Sequence, residues 1–332
     1  MNNPSHLRGR TKERINLSAK GEAQFLLQSS FWKGAKIMGT KSSTSPVPVF
    51  DAFIPPEMAV RAEDTGVKKA MMGWRNTLAL GVLAGAFISL GANFATVVTA
   101  GAAGTLPFGV SKLLAGLVFC LGLILVVVAG AELFTGNNLI VMAWANRRIS
   151  TFQVLRNWCL VYVGNFIGSI ATVVLVLFTN QYTFGNGVVG VNILTIANSK
   201  CELGFIQAIA LGMACNALVC LAVWLCYSAR TTVDKILSII FPISAFVAAG
   251  FEHSVANMYF IPLGLFVKIT APNTFWQAIG KTASDFASLT CSSFLFVNLL
   301  PVTLGNIFGG SVMVGLVYWF IYLRKGLISR PV

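Results

Sequence analysis

Charge is scarce in this sequence. Asp, Glu, Lys and Arg make up 11% of the 332 residues, against roughly 25% in a soluble domain. Acidic residues are the rarer sign, with 11 Asp and Glu against 24 Lys and Arg and a formal net charge of +13. Histidine occurs only as His6 and His253. The seven cysteines (Cys120, Cys159, Cys201, Cys215, Cys220, Cys226 and Cys291) are odd in number and form no Cys-x-x-Cys pair. Neither a disulfide framework nor a zinc site is therefore indicated. Most of them fall inside apolar runs and read as small packing residues. With no Cys/His cluster and no nucleotide loop, the chain lacks the apparatus of a cofactor enzyme, and neither cofactor nor metal is expected.

What is abundant is apolar sequence, 56% of the residues, with a mean hydropathy of +0.76. Four stretches contain no Asp, Glu, Lys or Arg at all: Leu78 to Ser111, Asn157 to Ser199, Leu203 to Ala229 and Phe286 to Leu323. A helix needs roughly 20 such residues to cross the hydrocarbon core, so the chain is an integral membrane protein in contact with lipid. Two further apolar segments are interrupted, one by Glu132 and the other by Glu252 and His253. Each reads as a membrane helix broken near its middle. The expected spans are 78–100, 113–145 (broken), 157–178, 204–227, 237–266 (broken) and 292–323. The fold class is thus all-α with six transmembrane helices, and the second and fifth are the broken ones. Two halves of three spans have opposite topology, and paired interruptions mark a transport site at such a repeat interface. Glycines at Gly81/Gly85, Gly164/Gly168 and Gly305/Gly309 have the spacing for close helix approach.

The positive charge could suit nucleic acid, but its distribution points to a membrane orientation instead. With both termini placed in the cytoplasm, only Lys112, Lys200, Lys268 and Lys281 of the 24 basic residues fall outside. This is the positive-inside bias. It fits an even number of crossings in a cell (inner or plasma) membrane. Residues 1–48 are basic and Ser-rich and read as a disordered leader. They are open to two further readings, a transit peptide or an upstream extension ahead of Met38. Residues 49–76 hold a candidate amphipathic helix after Pro55-Pro56, which either lies along the inner membrane surface or is a solvated connector. The transport domain spans 77–325, and 326–332 form a cytoplasmic tail.

The first break reads Gly-Ala-Glu-Leu-Phe-Thr-Gly-Asn (130–137), and the second Gly-Phe-Glu-His-Ser-Val-Ala-Asn-Met (250–258). Non-helical backbone at membrane depth is tolerated only when buried in protein or lining a watery path. Free N–H groups at the start of each following half-helix, together with the helix dipole, suit a passing anion. His253 is the one histidine in such a place, where an ionisable residue is a functional candidate by default. It can hydrogen-bond an anion when neutral and lend a charge or proton when protonated. Glu132 and Glu252 occupy matching positions. A carboxylate facing the path would repel an anion, so their expected role is structural, stabilising the loops with Asn257 nearby.

These two motifs resemble the paired signatures of the formate/nitrite transporter family. Supporting stretches are Gly-Thr-Leu-Pro-Phe-Gly (104–109), Asn-Ala-Leu-Val-Cys-Leu-Ala-Val-Trp (216–224) and Pro-Val-Thr-Leu-Gly-Asn (301–306). The resemblance runs from about Phe50 to Arg324 and lies closest to formate channels. It implies an aquaporin-like inverted 3+3 repeat in a homopentamer, with one pore per protomer. By matching positions, Phe119, Leu123, Phe134, Phe246 and Val219 are the implied apolar constrictions. Thr135 and His253 are the implied polar groups between them, with Asn216 and Asn306 as secondary contacts. The segment Leu133 to Asn138 would open or close the inner slit. A dry ring of this kind blocks hydrated ions, because desolvating a carboxylate-sized ion costs on the order of 20 kcal/mol in the Born limit. Passage needs compensation from these donors, or transient protonation of the anion by a proton partner.

The expected function is therefore passive or proton-linked conduction of formate. Nitrite is the alternative within the family, with hydrosulfide, lactate and acetate behind it. A neutral-solute pore of aquaporin type is a different class, and the paired Asn-Pro-Ala breaks it would carry are absent. From the charge distribution we predict that reporter fusions after Arg156 and Arg230 read as cytoplasmic and fusions near Asn192 and Thr274 as external. An external signal at Arg230 would exclude an inverted repeat.

Overall fold

A computed structural model describes residues 51–324. The expected leader (1–48), the expected tail (326–332) and both chain termini lie outside the described residues. All regular structure among the described residues is helical. Helix α1 (Pro55–Met71) begins with proline at its first turn, where the missing N–H is no loss, and the Glu57 side chain accepts from Ile54 N at 3.1 Å. Helix α2 (Trp74–Val98) and helix α3 (Phe108–Val128) follow. A non-helical stretch then leads to a 3-10 turn (Gly136–Ile140) and the short α4 (Val141–Ala145). Helix α5 (Thr151–Phe178) starts at a reciprocal cap between Ser150 and Gln153.

The second part repeats this order. Helices α6 (Val188–Lys200), α7 (Phe205–Ser228) and α8 (Thr232–Ala248) are followed by a second non-helical stretch. Then come α9 (Ser254–Thr270), α10 (Asn273–Ile279) and α11 (Ser293–Leu323). Over Ser293–Leu299 and Phe308–Leu316, α11 widens to the i→i+5 pattern. The packing repeats as well. Helix α2 lies on α3 and α5 as α7 lies on α8 and α11, and α3 meets α8 between the two sets.

Among the described residues, five helices are long and apolar enough to cross a membrane: α2, α3, α5, α7 and α11. A sixth is reached by counting α9 and α10, bent by 109°, as one span. This differs in detail from six helices with two broken in the middle. Helix α3 has 21 residues and is long enough alone, so the first interruption falls at its end, and the 3-10 turn and α4 that follow are only 5 residues each. Helices α8 and α9 have 17 residues each and flank the second interruption. The expected run 157–178 lies within α5, but the uncharged sequence after it conceals α6. The turn between them carries Asn180, Gly185, Asn186 and Gly187, all at positive φ, where Asn and Gly are the residues of lowest strain.

Helix α1 is buried on one face, through Met58, Ala59, Ala62, Gly66 and Ala70, and packs against the 3-10 turn and α4. Its neighbours α2 and α5 approach through small residues. A Cβ at Gly85 would collide with the Asn165 carbonyl, and one at Gly168 with the Val82 carbonyl. The same holds where α7 meets α11, with Gly305 against the Ile209 carbonyl and Gly309 against the Met213 carbonyl. With lipid as apolar as the side chains, helix association rests on such close packing. We predict that Gly168→Ala and Gly309→Ala each destabilise the fold by about 1–3 kcal/mol or more. Gly109→Ala, where nothing lies within 4 Å, should be neutral by thermal unfolding in detergent.

Candidate functional site

Each helix interruption begins with a glycine at positive φ, Gly130 (82°) and Gly250 (71°). At both, the next amide reaches back into the preceding helix, Ala131 N to Val126 O at 2.9 Å and Phe251 N to Phe246 O at 3.0 Å. The glutamates then donate their backbone N–H across to the neighbouring long helix, Glu132 to Leu80 O at 3.2 Å and Glu252 to Leu211 O at 3.3 Å.

Two buried asparagines clamp the loops. Asn165 accepts from Phe134 N at 2.9 Å and donates to Gly81 O (2.8 Å) and Glu132 O (2.9 Å). Asn306 accepts from Ser254 N at 2.9 Å and donates to Gly212 O (2.8 Å) and Glu252 O (2.9 Å). The carboxylates are matched in the same way. Glu132 takes Lys69 Nζ at 2.8 Å and Asn137 Nδ2 at 2.6 Å, and Asn137 also donates to Asn157 Oδ1. Glu252 takes Lys200 Nζ at 2.7 Å and Asn257 Nδ2 at 2.6 Å, and Asn257 also donates to Asn298 Oδ1. Both circuits close on the lysine backbone, Asn157 Nδ2 to Lys69 O and Asn298 Nδ2 to Lys200 O. Lys69 lies in the last turn of α1 and Lys200 in the last turn of α6, so these two helices are wired to the loops in equivalent ways.

This wiring corrects one expectation. The amides of Phe134, Ser254 and Ala256 are not free for an anion, because side chains of Asn165, Asn306 and His253 already accept from them. Asn306 and Asn216 likewise spend their donors on protein. Asn216 donates to Asn306 O (2.6 Å), Asn138 Oδ1 (3.1 Å) and Thr135 O (3.3 Å), and both asparagines are fully buried away from the two cavities described next. Sequence reasoning passed over Lys69, Asn157, Asn165, Lys200 and Asn298. The signal available for the asparagines was an amide inside an otherwise apolar helix, which needs a partner there.

Two cavities approach the loops from opposite ends. One, of about 550 Å³, is walled by Leu123, Glu132, Leu133, Gly136 and Asn137, with Arg61, Lys69, Arg230 and Lys235 around it. The other, of about 860 Å³, is walled by Phe119, Phe246, Glu252, His253 and Asn257, with Lys112 and Lys200. Phe119 and Phe246 meet edge to face with ring centroids 5.6 Å apart. Phe134 packs edge-on against Tyr162 (4.8 Å), and Val219 is buried; neither of these two lines a cavity. Thr135 is fully buried beside Gly136, and its Oγ1 lies 3.0 Å from His253 Nε2. His253 is on the wall of the wider cavity, and Thr135, on neither wall, adjoins Gly136 on the wall of the narrower one, so their contact lies between the two.

The tautomer of His253 follows from its second nitrogen. His253 is the N-cap of α9, and Nδ1 accepts from Ala256 N at 3.0 Å. A neutral ring then carries its proton on Nε2 and donates to Thr135 Oγ1, which leaves the threonine O–H free to donate onward. A second proton would put an N–H at Nδ1 facing the Ala256 N–H. Charging the ring and keeping the cap are mutually exclusive.

The formate/nitrite transporter family model matches residues 56–320. The chain is 46% identical over 276 residues to the formate channel FocA of Escherichia coli strain K12, covering 83% of this chain and 96% of that protein. It is 42% identical to the formate channel FocA of Haemophilus influenzae, covering 80% of this chain and 93% of that one. Among solved structures, a pentameric formate channel with formate bound superposes with a TM-score of 0.72 at 47% identity, covering 75% of this chain and 98% of that chain. An FNT family ion channel does so with a TM-score of 0.65 at 28% identity, covering 80% and 98%.

The wiring yields a stability prediction. Glu252→Gln leaves Lys200 without its counter-charge, and truncating one partner of a buried pair costs about 3 kcal/mol. The loss should be smaller here because Lys200 keeps 16% of its side chain exposed. Lys200→Met combined with Glu252→Gln should recover part of it in a double-mutant cycle read by unfolding in detergent. Strict additivity would show the pair to be uncoupled.

Proposed function

The chain belongs to the formate/nitrite transporter family, and from that premise we propose that it conducts formate across a cell membrane through a pore in each protomer of a homopentamer. The observation that carries the proposal is the Thr135–His253 hydrogen bond between two cavities of opposite approach. Formate is favoured over nitrite because relatives at 38–46% identity are named as formate channels. In this reading the membrane is the inner or plasma membrane, both termini are cytoplasmic, and six crossings form an inverted 3+3 repeat of aquaporin-like type. Helices α3 with α4 and α8 with α9 are its interrupted members. The paired loop wiring and the bias of basic residues support it.

An anion arriving from the wider cavity passes Lys112 and Lys200 and meets the Phe119–Phe246 pair, then the two polar groups. Leu123, Phe134 and Val219 extend the apolar barrier on the other side. At rest Thr135 and His253 satisfy each other, so neither presents an unpaired group to water. A carboxylate can replace the threonine as acceptor for Nε2–H and take the threonine O–H as well, receiving two hydrogen bonds in place of hydration. Leu133 to Asn138 is the segment whose displacement would widen the inner slit. Glu132, Glu252 and Asn257 hold the loops, Asn216 and Asn306 clamp them, and none of these five gives the anion a site. Proton linkage enters through His253, since charging its ring releases the α9 cap.

The test is initial formate uptake into vesicles against pH. We predict that His253→Phe nearly abolishes flux with the oligomer intact. His253→Asn keeps a cap acceptor and should conduct, but should lose most of its pH dependence, since an amide cannot take up the proton that releases the cap. Thr135→Ala should reduce flux less, since one neutral hydrogen bond is worth about 1 kcal/mol. A wild-type pH profile in His253→Asn would remove the histidine from any proton-linked step.

A further inference from the structure

The wider cavity is built for something larger than its cargo. Its volume of about 860 Å³ falls in the range of pockets that enclose drug-sized ligands, about 300–1,000 Å³. Its walls are largely apolar, with Phe108, Phe119, Phe246, Phe251 and Phe260 among them. Formate has no apolar body and gains nothing from those rings.

The charges on the wall are unevenly committed. Glu252 is its only carboxylate, and Lys200 and Asn257 hold both of its oxygens. Lys112 stands apart. It is half-buried, its Nζ lies 5.4 Å from the centre of the Phe108 ring, and among the described residues no carboxylate comes within salt-bridge distance of it. A cation without a counter-ion, beside an aromatic ring and above an apolar chamber, is complementary to one kind of guest: a monovalent anion with a flat apolar body.

We propose that this cavity is a binding site for aromatic monocarboxylates. The carboxylate pairs with Lys112 and the ring lies on the phenylalanine wall, so the guest plugs the chamber above Phe119 and Phe246. The ring is too large for the Thr135–His253 passage, and the guest therefore blocks formate from the side of Lys112. The blocking effect rests on the channel reading above, whereas the binding does not.

Two measurements separate them. The first is benzoate binding to the purified full-length protein in detergent, by calorimetry, with acetate as the comparison. The second is formate flux in vesicles of known orientation, with benzenesulfonate as a permanently charged probe on one side at a time. Benzoate should bind about tenfold tighter than acetate, reflecting burial of its ring. Lys112→Gln should weaken benzoate binding about tenfold, and Lys112→Arg should restore it. Benzenesulfonate should block from the Lys112 side only. Equal binding of benzoate and acetate, or binding indifferent to Lys112→Gln, overturns the site. Lys112-dependent binding in a protein that passes no formate would uphold the site and overturn the channel reading. Equal block from both sides overturns the plug.

Discussion

The structure depends on one constraint: a polypeptide that leaves the helix at membrane depth must satisfy its own backbone, because no water is there to do so. Every feature around the two interruptions answers to it. Asn165 and Asn306 each accept one loop amide and cover two carbonyls. Three hydrogen bonds from one side chain hold a loop in a single shape, which a fluctuating or water-filled loop could not keep. The glutamates then need cations, which come from the ends of α1 and α6. Buried ion pairs add little net stability relative to apolar packing. Their value lies in tying each loop to a helix outside the main bundle, so that loop and helix keep one register.

Much of this was legible in the residues, and the limits of legibility are physical. Long uncharged runs revealed the long helices, because burial in lipid forbids charge over a whole span. The interruptions were visible because Glu132, Glu252 and His253 have no place in an unbroken lipid-facing helix. Gly81/Gly85 and Gly305/Gly309 announced close packing by spacing alone. Partnerships between distant segments were not legible. Asn165 and Asn306 look like isolated polar residues in helices, and nothing along the chain says that each one faces a loop some thirty to fifty positions away. Helix α6 was hidden for a different reason: an uncharged run carries no mark of where one helix stops and a shorter one begins, except its turn residues.

The amphipathic segment around α1 shows how burial and charge settle an ambiguous stretch. Its sequence suits a helix on a membrane surface and a solvated connector equally well. In the structure one face of α1 packs on the short helices after the first interruption, and Lys69 at its end reaches Glu132. Phe53, just before it, lies between the guanidinium groups of Arg61 and Arg230, at 3.8 and 3.5 Å from their central carbons. Two cations share one ring face each, a geometry that holds like charges near each other without a carboxylate. The segment is a buttress for the loop as well as part of the wall of the narrower cavity.

The site itself arises where the two halves cease to match. The loop amides, glutamates, lysines and asparagines are equivalent one for one, and such equivalence can build two identical barriers but no chemistry. The equivalence of Glu132 with Glu252 and of Asn137 with Asn257 puts Leu133 opposite His253 and Thr135 opposite Val255. In one half the residue after the glutamate is apolar; in the other it is the imidazole that caps α9. In one half the residue two before the asparagine is a hydroxyl; in the other it is a valine. Each half therefore contributes one polar group and one apolar group, and the polar ones meet at 3.0 Å. A symmetric pair of histidines would place two like groups at the centre and a symmetric pair of threonines would offer no titratable one. In the proposed reading, the mixed pair offers an anion two neutral donors inside an apolar barrier that the shared wiring holds in place.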